Sequence, residues 1–598
     1  MSYHLTKNRV YKFTDFLAIP LQVSPVCTTT IILNHILSAL MPALQVMITA
    51  EFIDTALAIF NGSAIRGDIY QPLVFLMLIV AYHSLNWQLM SYVNLKFEMK
   101  LTKVYRSLIA EKRAKLEYCH IEDNSTWDLI NRTCQDVVGR LTSGLNNLLG
   151  AFGIVIRVFS LLLILMTQVW WAGIIIVLIS VPLFALAIYG GKETYKANVE
   201  ADKYSRRASY LQSVLQARDN VEERTLFGYT ESVNQRWLEK YETSRKINMK
   251  VRLKYYIRMK GSSLITVFLS LAITGVLLVP LSQGTITVGM FMSLVTGTLN
   301  LIQMMSWNLS YTMSELAKNR EYLKDLTMFF GLSETEGALS LPQEKDSVAF
   351  DSIEFENVSF KYPGTEKYVL KDFSLRLDKN LHYAFVGTNG AGKTTVTKLL
   401  TGMYNNYEGK ILINKKELRQ YTQAELKTFF AVVYQDFAKY YISLKDNISL
   451  GNVLELNDAA INRVASVIGL NSTIGDLHSG IDTPLGKIKE NGVDLSGGQW
   501  QKVAIARALY NPAQIRILDE PTAALDPVAE SSIYEMFGKI SKGKSTIFIT
   551  HRLGAAKLAD EIIVIDEGKV REQGSHKELL ELNGIYAEMF NAQRSWYK

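Results

Sequence analysis

Four segments, 16–50, 69–95, 170–189 and 261–314, contain no Asp, Glu, Lys or Arg, and a fifth, 146–166, contains only Arg157. About 20 apolar residues carry an α-helix across the hydrocarbon of a bilayer. Every backbone N–H and C=O there must be paired inside the protein, so runs of this length admit helices and little else. The spacing predicts six spans, at about 23–49, 71–92, 146–166, 170–189, 261–281 and 288–311, with Ser282-Gln-Gly-Thr-Ile-Thr-Val-Gly289 as the turn between the last two. Trp87, Trp170 and Trp171 suit interfacial anchors. A hydrophobic fraction of 48% and a mean hydropathy of +0.08 over 598 residues agree with a membrane half and a water-exposed half. That length also predicts several domains.

The loops set the orientation. Segments 96–145 and 191–260 are rich in Lys and Arg, among them Arg106, Lys112, Arg113, Arg206, Arg207 and Arg224, whereas 168–170 and 282–288 carry no charge. By the positive-inside rule the basic loops and both termini are cytoplasmic, and the net charge of +7 reads as membrane topology rather than nucleic-acid binding. The apolar spacing lets the helices continue tens of ångströms (on the order of 1.5 Å per residue) beyond the bilayer. Cys27, Cys119 and Cys134 show neither disulfide-framework nor zinc-motif spacing. Lys7, Arg9 and Lys12 precede a run too long for a cleavable signal peptide. Arg157 is a candidate cavity or gating residue; snorkelling or a structural ion pair is the alternative. His35 and His83 read as packing residues. Polar stretches near 121–127 and 219–224 read as short helices docking into another domain, or as solvated loops.

The second half is mixed α/β. Residues 331–349, polar and containing Pro342, read as a linker, with 1–330 before it and 350–598 after it. Gly387-Thr-Asn-Gly-Ala-Gly-Lys-Thr394 fits G-x-x-x-x-G-K-[ST]. An apolar strand, 382–386, precedes it, and a helical pattern including Thr395 follows. Glycines let backbone N–H groups approach phosphate oxygens, and the helix N-terminus favours negative charge. Lys393 is expected to reach the β- and γ-phosphates, and Thr394 to offer its hydroxyl to Mg²⁺. Strand 514–520 ends in Asp519, placed for Mg²⁺, and Glu520, placed to polarise a water. Arg516 interrupts the strand's apolar pattern and reads as an edge position or a snorkelling side chain. Between these elements, Leu495-Ser-Gly-Gly-Gln499 opens a helix and makes a second anion site. One nucleotide does not need both, which suggests a head-to-tail dimer with ATP between the copies.

In this order the motifs resemble those of ABC transporters, specifically half-transporters with an exporter-type membrane domain, over nearly the whole chain. The resemblance implies an all-α transmembrane domain of six helices with long cytoplasmic extensions, followed by an α/β P-loop ATPase domain. It implies ATP and Mg²⁺ as cofactors. Gly387, Thr388, Asn389, Gly390, Ala391, Gly392, Lys393, Thr394 and Thr395 would line the phosphates, and Tyr362 would stack on adenine. Gln435 matches the Q-loop glutamine that links Mg²⁺ and water to the membrane domain. Leu495, Ser496, Gly497, Gly498 and Gln499 are the signature, Asp526 the D-loop aspartate and His551 the switch histidine. Thr394, Gln435 and Asp519 would hold the metal; Glu520, His551 and Gln435 would carry catalysis. Segments 121–127 and 219–228 become coupling helices, the second docking on a partner subunit. Asn491 stands where the exporter cross-talk motif usually has arginine.

An intact set in one chain makes a homodimer the simplest assembly, with a heterodimer as the alternative. Its expected place is the cytoplasmic membrane of a bacterium, in contact with lipid and a transported substrate and with no nucleic acid. Phrases 434–440 and 497–502 resemble exporters of lantibiotics and other peptides. About two dozen residues precede the first span, so no leader-cleaving peptidase domain is expected. Amphipathic drugs or lipids, uptake by an exporter-like fold, and an ATP-gated regulator that moves nothing are the competing readings.

Overall fold

The computed structural model describes residues 9–168, 189, 193, 196–197, 200–217, 220–342, 350–487, 491–521 and 543–595. Asp526, Trp170, Trp171, nearly all of the 170–189 span and Glu490 of the cross-talk motif lie outside them. Two compact units emerge. One comprises residues up to Ala110 together with Asp128–Leu332; the other comprises Glu111–Trp127 and Ser333–Lys598.

The first unit is helical. Its elements are α1 Asp15–Val23, α2 Pro25–Phe60, α3 Tyr70–Lys115, α5 Asn124–Cys134, α6 Val137–Gln168, α7 Val221–Phe227, α8 Thr230–Ser282 and α9 Val288–Gly331, with α4 Tyr118–Glu122 and the ends of α3 and α5 belonging to the other unit. At 46 residues α3 is about 69 Å long at about 1.5 Å per residue, roughly twice a hydrocarbon core. Among the described residues Pro25–Phe60, Arg66–Lys115 and Val137–Thr167 are long and apolar enough to cross a membrane. Segments 261–281 and 288–311 lie on α8 and α9. Thr287 caps α9 by accepting from Met290 N at 3.2 Å.

Ala43 and Val46 of α2, Leu161 and Leu165 of α6, Leu277 of α8 and Leu294 of α9 form a common core. By contrast Val74, Leu78, Leu85, Trp87 and Leu89 of α3 are exposed. A long helix with apolar side chains open to water is stable only under lipid or another chain. Phe16 of α1 is fully buried beside Gly144, where an added Cβ would stand 2.2 Å from its ring.

The second unit holds two sheets. Strands β1 Ser352–Phe360, β2 Leu370–Asp378, β4 Glu408–Ile413 and β5 Lys416–Glu417 form an antiparallel sheet in the order β2-β1-β4-β5. The other sheet runs β10-β9-β3-β8-β7-β6, from β3 His382–Val386, β6 Phe430–Val433, β7 Ile515–Asp519, β8 Ser545–Ile549, β9 Glu561–Asp566 and β10 Lys569–Gly574. It is parallel except for the β9–β10 hairpin. Its central strands are buried on both faces and mostly apolar, as parallel strands covered on two sides are. Tyr383 and Phe385 of β3 enter the core shared with β1, while Ala384 and Val386 face Leu579 and Tyr586. A third cluster joins Leu518 and Phe548 to a helical region containing Leu444, Ile461, Trp500 and Val503.

Arg516 departs from its expected place. It is 4% exposed, and β7 has β6 on one side and β8 on the other, so it is neither at an edge nor snorkelling to water.

Candidate nucleotide site

The sheet order places the functional side chains. The P-loop follows β3, Glu520 follows β7 and His551 follows β8, and β8 lies between β3 and β7. Gln435 follows β6, beyond β7. Neighbouring strands are about 4.8 Å apart, so four groups distant in sequence meet along one rim.

Within the P-loop, Gly390 and Gly392 take φ of +80° and +107°, the left-handed region that glycine enters without a Cβ clash. At Gly387 an added Cβ would stand 2.0 Å from Ile565 O. Lys393 opens the helix Lys393–Leu400 and is 5% exposed. Its Nζ donates to Gly387 O and Thr388 O, each at 2.9 Å. Burial pulls its pKa down, against the carboxylates of Glu520 and Asp519. Thr388 Oγ1 donates to Asp566 Oδ1 at 3.4 Å. Asn389 and Thr394 are exposed; Ala391 and Thr395 are buried.

Glu520 has φ +46° and its N–H donates to Ile549 O at 3.0 Å, which turns the side chain off the end of β7. Gln435 Nε2 donates to Glu520 Oε2 at 3.1 Å, and His551 Nε2 lies 2.9 Å from Glu520 Oε1. Burial first, then Lys393, lowers the His551 pKa, with Glu520 opposing. Burial and Lys393 thus disfavour the imidazolium form, and Glu520 favours it. Asp519 is 2% exposed; burial is the main force raising its pKa to about 6, while a Thr394 hydrogen bond opposes it. Asp519 Oδ1 has no hydrogen-bond partner. A buried carboxylate oxygen left open beside a threonine hydroxyl fits the oxygen-donor demand of Mg²⁺.

Other candidates lie apart from this rim. Ser496 caps the helix Gly497–Tyr510; its Oγ accepts from Gln499 N at 3.3 Å, while Gln499 Oε1 accepts from Ser496 N at 2.8 Å. Leu495 packs in the helical cluster with Trp500, whereas Val396 and Leu399 behind the P-loop belong to the core with β1. Gly497 and Gly498 form the first turn. Tyr362 is half-buried, 5.2 Å from Phe360 and 5.6 Å from Tyr404 between ring centroids, with its hydroxyl 3.0 Å from Thr395 Oγ1.

Sequence reasoning missed three contributors. Gln501 Nε2 reaches Glu520 O at 3.5 Å, and Asp566 braces Thr388. Lys398, on the P-loop helix, donates to Glu122 of α4 at 2.9 Å and lies 5.2 Å from the Tyr118 ring. The signal for Lys398 was its helical spacing, one turn beyond Thr394.

A glycine loop around a buried lysine, with a carboxylate held by two donors across the sheet rim, fits a nucleotide-hydrolysing site. Residues 370–523 match the ABC transporter family model. The chain is 29% identical over 565 residues to the subtilin transport ATP-binding protein SpaT of Bacillus subtilis, covering 93% of this chain and 89% of that protein. It is 26% identical over 576 residues to the nisin transport ATP-binding protein NisT of Lactococcus lactis, covering 94% and 93%. Against the ATP-dependent lipid A-core flippase of Escherichia coli K12 it is 37% identical over 261 residues, 43% of this chain and 44% of that one. Its fold matches a bacterial Atm1-family ABC exporter with ATP bound, at a TM-score of 0.77 and 22% identity, over 94% of this chain and 99% of that one. Residues 370–523 thus carry an ABC transporter domain, which follows a helical unit with long apolar helices, and the chain shares the fold of the exporter structure.

Proposed function

We propose that this chain is half of an ATP-driven peptide exporter, working as a pair of identical copies in a bacterial cytoplasmic membrane with its nucleotide domain in the cytoplasm. The observation that carries the reading is the intact hydrolytic constellation, Glu520 held by Gln435 and His551 opposite Lys393. The cargo class rests on coverage. The lantibiotic-transport relatives align through the membrane half, where cargo is recognised, whereas the flippases align over less than half of the chain.

The phosphates enter the Gly387–Gly392 cradle. Lys393 exchanges its two carbonyl contacts for phosphate oxygens. Thr394, Asp519 and Gln435 would hold Mg²⁺, which neutralises charge on the β- and γ-phosphates when bound. Glu520 orients the attacking water and takes up its proton. His551 passes from Glu520 to the γ-phosphate. The signature Leu495–Gln499 would close on the nucleotide of the second copy, Asp526 lying at that junction and Tyr362 turning toward the adenine. Alternating access follows when the closed pair binds ATP better than the open one.

Inside-out vesicles supplied with ATP and labelled peptides test the proposal, with Glu520→Gln as control. ATP-dependent accumulation lost in the variant is expected. Accumulation only in right-side-out vesicles with ATP trapped inside would reverse the direction, and dye or lipid movement without peptide would replace the cargo.

A further inference from the structure

The approach to α4 carries ligating side chains that the nucleotide site does not use. Residues 115–117 run antiparallel to 333–335. Thr335 N–H donates to Lys115 O at 2.8 Å and Glu117 N–H to Ser333 O at 3.3 Å, with Leu116 paired to Glu334. The turn that follows gathers Glu117, Cys119 and His120, one donor atom from each lying within 4.8 Å of the others.

Cys119 Sγ stands 3.7 Å from Glu117 Oε2. Tetrahedral zinc, with bonds of about 2.3 Å to sulfur and about 2.0 Å to oxygen, sets such a pair about 3.5 Å apart. His120 Nε2 lies 2.7 Å from Ser333 Oγ, the kind of outer contact that fixes the ring of a ligating imidazole. Glu117 and Cys119 also line an open cleft of about 1010 Å³, together with Glu334 and Tyr404, so a hydrated cation has a path in and a water can complete the shell. Thiolate, imidazole and carboxylate together suit zinc; magnesium and calcium require oxygen ligands.

We infer that Glu117, Cys119 and His120 bind one zinc-class divalent cation. Binding releases the thiol proton to solvent and leaves the cation with three protein ligands and a water. The turn it ties down presents Tyr118 edge-on to Tyr404, at 5.5 Å between centroids, and Glu122 to Lys398 at 2.9 Å. Cation occupancy therefore stiffens the contact between α4 and the nucleotide domain, making ATP turnover metal-sensitive while nucleotide binding is not. The inference is independent of cargo and direction.

The test uses the full chain in lipid nanodiscs without nucleotide, stripped of metal and titrated with Zn²⁺ alone against a chromophoric chelator, then with Co²⁺ alone. One zinc per chain is expected, with affinity at least tenfold weaker in Cys119→Ser and in His120→Ala. The near-ultraviolet thiolate-to-cobalt band should vanish in Cys119→Ser and persist in a Cys27→Ser/Cys134→Ser chain. Fluorescent-nucleotide binding, unchanged in every variant, reports folding; the near-isosteric Glu117→Gln replaces any variant that fails it. Equal zinc affinity across the variants, or a cobalt band that survives Cys119→Ser, overturns the site.

Discussion

Two contacts hold the Glu520 carboxylate, and each can be removed alone. His551→Ala takes away the donor at 2.9 Å and Gln435→Ala the donor at 3.1 Å. Each should lower the steady-state ATPase rate by roughly a hundred- to ten-thousandfold, the range for one positioned acid–base group. Fluorescent-nucleotide affinity should stay within about twofold, since neither contacts the cradle glycines. A parallel loss of affinity would mean that these side chains shape the P-loop instead. Lys544 offers a pH signature in the same domain. Burial first, then the nearby Arg516, lowers its pKa to about 8 from 10.5, while Pro512 O and Ala513 O accept from its Nζ at 2.9 and 2.8 Å. The folded chain therefore releases this proton before the unfolded chain does. Between pH 8 and 10.5 the unfolded state holds more protons, so stability gains from this group as pH rises through that window. Reductive ¹³C-methylation and NMR titration should find one lysine with a midpoint near 8, moving upward in Arg516→Met; midpoints all near 10.5 would contradict the burial.

Three described helices of the second unit begin with the same device. Ser496 and Gln499 form one capping box, Ser575 and Glu578 another, and Thr422 and Glu425 a third. Loss of either serine hydroxyl should cost about 1 kcal/mol locally. Amide hydrogen exchange in each first turn should therefore accelerate alike in Ser496→Ala and Ser575→Ala. ATP hydrolysis should fall only in Ser496→Ala if the helix it caps meets the nucleotide of a second copy, as proposed. Equal retention of activity would reduce the signature to a cap. These elements also show what was legible beforehand. The P-loop and the Glu520 strand end are local patterns, readable because a turn or strand end is fixed by residues close together in the chain. The Glu520–Gln435–His551 contacts join side chains far apart in sequence, and only the motif order hinted at them. Arg516 misled for the converse reason: charge suggests water, yet its strand is central. Lys398 with Glu122 depends on a contact 276 residues apart, for which the sequence offers only helical spacing.

On the scale of the molecule, most apolar side chains left open fall on the long helices. α3 exposes Trp87, Leu89 and Tyr92 along the stretch read as a span, and α7 exposes Leu226 and Phe227 at 78% and 70%, just before Gly228 in the left-handed region. Lipid accounts for the first group. The second lies in a segment read as cytoplasmic, where a second copy is the simplest cover. Leu226→Asp/Phe227→Asp should leave nucleotide binding intact and abolish peptide-stimulated hydrolysis. Cysteines placed at either position in a chain lacking its native ones should cross-link between copies carrying different tags. Cross-links confined within one copy would remove the support for that pairing.

Lys393 folded onto Gly387 O and Thr388 O gives the P-loop an occupant of its own. The nucleotide arrives as a competitor, displacing an internal ammonium that already has its acceptors. A triphosphate offers it oxygens at the far end of the cradle. The two carbonyl oxygens thus hold the ammonium beside the path the phosphates would take, ready to be exchanged for phosphate oxygens.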